Sequence, residues 1–250
     1  MTVHLPLPQR VCRPPRRLPA YLLLAFLFPS IVTLAETVTA GEIRGNVRYR
    51  FDRSRPWRYS RYYVRQGKSG DLSEAVVALS QRGRKWDPNL FPKTEPKTAV
   101  MDQKNFDFTP ELLAIRARDS VRFTNSDTQP HNVFTQWRDW GFNITMPAGE
   151  SHVQSFPRAG NHLAPYRLGC HLHGQMRAWI YVFDHPYFQV TKADGGFHLV
   201  NVPTGEYELV VLHPAGNLSS TVSVVVLEQE TAIANVELTP DNELRTKTAQ

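Results

Sequence analysis

The chain has 250 residues, of which 41% are apolar and 11% aromatic, with 19 Pro, 14 Gly and a formal charge of +6. That is too apolar for a disordered protein and long enough for one large or two small domains. No strict short repeat, heptad pattern or second long apolar run occurs, which excludes collagen-like, coiled-coil and polytopic membrane classes.

The first forty residues stand apart. Arg10, Arg13, Arg16 and Arg17 precede an apolar stretch from Leu18 to Ala35, and small residues follow in Thr33-Leu34-Ala35 and Val38-Thr39-Ala40. This order of basic, apolar and small-residue segments predicts a cleavable secretory signal over residues 1–40, with an uncleaved membrane anchor as the alternative. Of the 29 basic and 23 acidic residues, this segment holds four arginines and Glu36, so the remainder carries 25 against 22, a charge of +3. Cys12 would leave with the signal, so the exported protein keeps Cys170 alone. A solitary thiol in an oxidising compartment needs burial or a metal partner.

From Gly41 onward the pattern is that of strands. Residues 41–80 open with Gly41-Glu42-Ile43-Arg44-Gly45-Asn46-Val47 and close with Ala75-Val76-Val77-Ala78-Leu79. Between them, Arg44 to Arg65 holds eight arginines, one acid at Asp52 and six aromatics, including Trp57, Tyr62 and Tyr63. Such a stretch could stack on single-stranded nucleic acid, but export argues against a nucleic-acid partner. A docking surface for an acidic redox partner, or a peripheral contact with anionic lipid headgroups, fits an exported protein better, and a solvated hairpin excursion is the plain alternative.

Residues 81–97, with Pro88, Pro92 and Pro96, read as a linker. A central unit over 98–186 contains the alternating runs Val121-Arg122-Phe123 and Trp179-Ile180-Tyr181-Val182-Phe183, with one short helical turn expected near Pro110-Glu111-Leu112-Leu113. A last strand-rich unit covers 187–240, with Tyr207-Glu208-Leu209-Val210-Val211 and Val222-Ser223-Val224, and residues 241–250 form a polar tail. The expectation is an all-β protein.

The chemistry concentrates in Gly169-Cys170-His171-Leu172-His173-Gly174-Gln175-Met176, a Cys-x-x-His-x-x-Met array, with Gln129-Pro130-His131-Asn132-Val133 upstream. A thiolate, two imidazoles and a thioether suit copper cycling between two oxidation states. Three donors on one tight loop keep their geometry through the backbone, while a fourth from a neighbouring loop closes the site. Structural zinc sites rarely include Met.

These residues resemble the cupredoxins, copper proteins with a Greek-key β-sandwich, and the loop spacing is closest to the amicyanin-like group. Val121-Arg122-Phe123-Thr124-Asn125-Ser126-Asp127 before His131, and Phe156-Pro157-Arg158-Ala159-Gly160 before Tyr166 and Cys170, are similar to the strands that lead into the ligands of that family. The resemblance implies one mononuclear type 1 copper, with His131, Cys170 and His173 as equatorial ligands, Met176 as the axial one, and Asn132 tying the ligand loops together. It implies a one-electron carrier rather than a catalyst. A second cysteine for a binuclear centre and the histidine pairs of a trinuclear cluster are both missing from the exported chain. His171 is expected to point away from the metal, and His152, His162, His185, His198 and His213 to be surface or loop residues. A copper carrier or sensor, or a non-redox envelope module, are the competing functions.

A second resemblance flanks the first. Thr191-Lys192-Ala193-Asp194-Gly195-Gly196-Phe197 and Val202-Pro203-Thr204-Gly205-Glu206-Tyr207 resemble the carboxypeptidase regulatory-like domain, a smaller transthyretin-like β-sandwich. Its opening strands would be those of 41–80, so the central unit would be inserted in it. The whole arrangement resembles exported cupredoxins grouped as methylamine-utilisation proteins, and the implied location is the periplasm.

Overall fold

The computed structural model describes residues 39–52, 70–81, 85–88, 91, 94–136, 141–160 and 164–244. Residues 1–38 of the signal-like segment and most of the Arg-rich stretch lie outside them. Two strands come first, β1 (Ala40–Tyr49) and β2 (Val76–Ser80). The central unit follows with β3 (Thr98–Lys104), β4 (Asp107–Thr109), β5 (Leu112–Arg116), β6 (Ser120–Asn125), β7 (His131–Thr135), β8 (Phe142–Met146), β9 (Ser151–Ser155), β10 (Tyr166–Gly169) and β11 (Arg177–Phe183). Then come β12 (Phe188–Val190), β13 (Gly196–Pro203), β14 (Gly205–His213), β15 (Leu218–Val226), β16 (Thr231–Ile233) and β17 (Val236–Leu238), before a 3-10 turn at Pro240–Asn242. The fold is all-β.

The central unit is a sandwich of two sheets, ordered β4-β3-β6-β9 and β5-β11-β10-β7-β8. Alternation decides which side chains fill it. Val121 and Phe123 on β6 are fully buried while Arg122 between them is exposed, and Ala178, Ile180 and Val182 on β11 point into the same core. The helical turn expected near Pro110 is not formed. Leu112 instead opens β5, which runs parallel to β11 with Leu112 opposite Trp179. The run Leu112-Leu113-Ala114-Ile115 pairs as a strand because both its faces are covered, Leu113 and Ile115 by the sandwich core and Leu112 and Ala114 by the neighbouring sheet.

The second sandwich is assembled from both ends of the chain. β1 pairs antiparallel with β13 and parallel with β16 and β17, while β2 lies between β12 and β14 in a sheet ordered β12-β2-β14-β15. Val77 and Leu79 of β2, with Leu209 and Val211 of β14, face the core of this sandwich. Their neighbours Val76, Ala78, Val210 and Leu212 face the other way, onto Leu112, Tyr181 and Phe183 of the central unit. A sheet buried on both sides reads as an unbroken apolar run, which is why Ala75–Leu79 shows no alternation. Each fully buried Leu or Val contributes about 1.5–3 kcal/mol as an upper bound, so this shared layer joins the two sandwiches firmly.

Local chemistry fixes the turns. Gly195 has φ +75 and a side chain there would collide with the Val47 carbonyl, while Asp194 Oδ1 accepts from the Gly196 N–H at 2.9 Å. The Tyr207 hydroxyl donates back to the Pro203 carbonyl at 2.9 Å, closing the Pro-Thr-Gly-Glu-Tyr turn. In the stretch expected as a linker, Trp86 and Phe91 are buried in the second core, with Trp86 stacked on Tyr207 at 5.6 Å.

Candidate metal centre

The site lies at one end of the central sandwich, where β6 turns into β7 and β10 turns into β11. Asn125, 2% exposed at the end of β6, folds the first turn around itself. Its Nδ2 donates to the carbonyls of Gln129 and Met146, both at 2.9 Å, and its Oδ1 accepts from the Asp127 N–H at 3.0 Å. The turn thereby brings the Asp127 carboxylate back against His131, the first residue of β7.

His131 is fully buried, and its Nε2 lies 2.8 Å from Asp127 Oδ2. A carboxylate only accepts, so Nε2 carries the proton and the Nδ1 lone pair is left facing the pocket. The same carboxylate accepts the N–H groups of Asn105 at 2.7 Å and Phe106 at 3.0 Å. Burial acts to raise the Asp127 pKa, but these donors and His131 outweigh it and hold the carboxyl below its usual range.

The second loop delivers the rest. Cys170 is 3% exposed, and its Sγ accepts from the Asn132 N–H at 3.4 Å. His173 Nδ1 stands 3.8 Å from that sulfur and 2.9 Å from His131 Nδ1. The three donor atoms of His131, Cys170 and His173 all lie within 4.8 Å of one another, the single such cluster among the described residues. Two imidazole nitrogens facing each other can share at most one proton. With a buried thiol beside them, that donor set suits a soft or borderline cation.

Met176 is 1% exposed and belongs to the same buried cluster as Cys170. Its N–H donates to the His173 carbonyl at 3.0 Å, which closes the Cys170–Met176 loop into a turn. Asn132 ties the loops: its Oδ1 accepts from the His171 N–H at 2.7 Å and its Nδ2 donates to Asn143 Oδ1 at 2.5 Å. His171 is exposed and its ring is stacked on Phe134 at 3.7 Å, outside the donor cluster. Gly169 makes this possible, since a Cβ there would sit 2.9 Å from the Phe134 ring.

The other histidines divide. His152 is exposed, and His198 is partly exposed and bonded to Glu42 at 2.8 Å, whereas His162 lies outside the described residues. His185 lies in the loop after β11, as expected of a surface or loop residue, but is 3% exposed, whereas His213 corrects that expectation as the last residue of β14, 1% exposed. Both end or follow long buried strands and satisfy a ring nitrogen locally, from the Tyr187 N–H at 3.1 Å and the Gly216 N–H at 3.0 Å. Of the Arg-rich stretch, Arg44, Arg48 and Arg50 pair with Glu42, Asp71 and Glu237 on the surface of the second sandwich, and such exposed pairs contribute little to stability.

Sequence reasoning missed Asp127 and Phe106. The acid four residues before His131 was a signal within reach. The Phe106 ring packs edge-on against His131 at 5.6 Å and His173 at 4.9 Å, and nothing in its sequence context announced that. Asn105 and Phe106 have φ of 56 and 61, the left-handed pair of a two-residue hairpin turn between β3 and β4. Glycine is usual at the second of these positions, and a bulky residue there costs about 1–2 kcal/mol.

No protein-family model matches the chain, and neither does any curated protein. Among solved structures it is similar to an oxidised proline-to-alanine variant of amicyanin, at 22% identity over 34% of this chain and 81% of that one, with a TM-score of 0.31. A methionine-to-alanine variant of amicyanin with Cu(I) matches at 18% identity, over 44% of this chain and 98% of that one, with a TM-score of 0.31. A copper-containing nitrite reductase from Thermus scotoductus matches at 22% identity, over 37% of this chain and 24% of that one, with a TM-score of 0.33.

Proposed function

We propose that this chain holds one copper ion between His131, Cys170, His173 and Met176 and passes single electrons outside the cytoplasm. The observation that carries the reading is the convergence of two imidazole nitrogens and one thiol within 4.8 Å of one another, with His131 and Cys170 buried and His173 partly so. Copper bound there would be held by the Cys170 sulfur, the His131 and His173 imidazoles and the Met176 thioether, and would supply a one-electron couple. The protein's part is to keep that geometry the same in both oxidation states. Asp127 fixes the tautomer and angle of His131, and the Asn132 N–H points at the cysteine sulfur. Asn132 also bonds to the backbone after Cys170 and to Asn143, so the two ligand loops move as one.

The periplasm is the proposed location, on the strength of the N-terminal pattern and the solitary Cys170. The proposed partner is an acidic redox protein that docks near the copper loop or on the Arg-rich segment.

Ligand replacement in copper-loaded protein tests the reading. Cys170→Ser abolishes the intense sulfur-to-copper colour. His131→Ala and His173→Ala weaken binding or change the colour, and Met176→Leu keeps a coloured centre with a raised potential. His171→Ala leaves the spectrum unchanged. An intensely coloured Cys170→Ser protein, or loss of copper from His171→Ala, overturns the assignment.

A further inference from the structure

The tip of the β3–β4 hairpin is joined to the donor cluster in two ways. One is the Asp127 carboxylate, which accepts from Asn105 N–H, Phe106 N–H and His131 Nε2–H at 2.7, 3.0 and 2.8 Å. The other is the Phe106 ring, in T-shaped contact with both imidazoles, with 39% of the residue exposed to solvent. A phenylalanine therefore occupies a left-handed position that glycine fills more comfortably. The backbone is held there by a carboxylate already committed to a ligand histidine. Turn formation alone favours Asn-Gly, so the turn does not account for the Phe106 ring, whose contacts are the two imidazoles.

We propose that Asn105–Phe106 is a cap over the His131–Cys170–His173 pocket, latched by Asp127, which keeps small solutes from the Cys170 thiol and slows release of bound metal. Asp127 is a positioning residue in this scheme. It sets the hairpin tip and the first histidine on one anchor, so the cap cannot drift from the ligands it shields. The inference deepens the copper reading, since a closed cap separates a carrier that retains its metal from one that hands it over, but its main test needs no copper.

In the metal-free full-length protein, the rate at which a small neutral alkylating reagent modifies Cys170 is followed by peptide mass spectrometry, which distinguishes it from Cys12. Phe106→Gly supplies the residue the turn prefers, so it melts at or above the wild-type temperature, yet Cys170 reacts at least roughly tenfold faster. Asp127→Asn also accelerates the reaction, and adds nothing in the Phe106→Gly background because it acts through the same ring. A wild-type rate for Phe106→Gly overturns the cap, and an additive effect of Asp127→Asn overturns the latch. Copper-loaded protein gives the parallel measurement, faster loss to a chelator from Phe106→Gly. A chain that takes up no copper refutes the copper reading and leaves the alkylation result standing.

Discussion

His213 links the stability of the second sandwich to pH. Its ring is buried at the end of β14, and its Nδ1 already accepts the Gly216 N–H at 3.0 Å, so a proton there would displace that bond. Burial pushes the imidazole down from 6.5 to about 4. Above pH 6.5 the ring is neutral in both folded and unfolded chains, and its contribution is fully present. Between the two values the unfolded chain binds a proton that the folded chain refuses, so stability falls as the pH falls, and the loss is complete below about 4. A gap of roughly 2.5 pH units at about 1.4 kcal/mol each gives about 3 kcal/mol. The assay is urea unfolding of metal-free wild type and His213→Gln at pH 7, 5.5 and 4. Any packing cost of the glutamine is common to all three and cancels in the comparison of slopes. The variant should lose about 3 kcal/mol less than wild type across this range. Parallel pH profiles would refute the assignment of a neutral buried His213.

Two further outcomes follow from packing. Gly169→Ala places a Cβ 2.9 Å from the Phe134 ring and should cost about 1–3 kcal/mol in denaturant unfolding, with Phe134→Leu in the same chain recovering part of the loss. Leu212→Ala, at a 1% exposed position between the two sandwiches, should cost about 2–5 kcal/mol, and a smaller loss would mean that the shared layer is not the joint between them.

The all-β class was legible because it rests on strand alternation, and the Cys-x-x-His-x-x-Met spacing marked the loop that carries Cys170 and His173 to His131. The burial of the β2–β14 sheet on both faces was not. The run Ala75–Leu79 says only that no face is wet, and it does not name the covering layer. Leu112–Ile115 misled for the same reason, since a doubly covered strand lacks the alternation that separates it from a helical turn. The burial of His185 and His213 was not legible, because local hydrogen bonds that satisfy a buried ring leave no mark on the spacing. Asp127 was open to the sequence only as an acid four residues before His131, and Phe106 not at all, since it reaches the histidines through a left-handed backbone.

The central claim is that His131, Cys170, His173 and Met176 together make a one-electron copper site. Absorption and electron paramagnetic resonance spectra of the copper-loaded protein test it most directly. The account predicts one copper per chain, an intense visible sulfur-to-copper band, narrow copper hyperfine splitting, and loss and full return of both signals through a cycle of reduction and reoxidation. Bound copper with a weakly coloured, widely split spectrum, or a protein that takes up none, would contradict it.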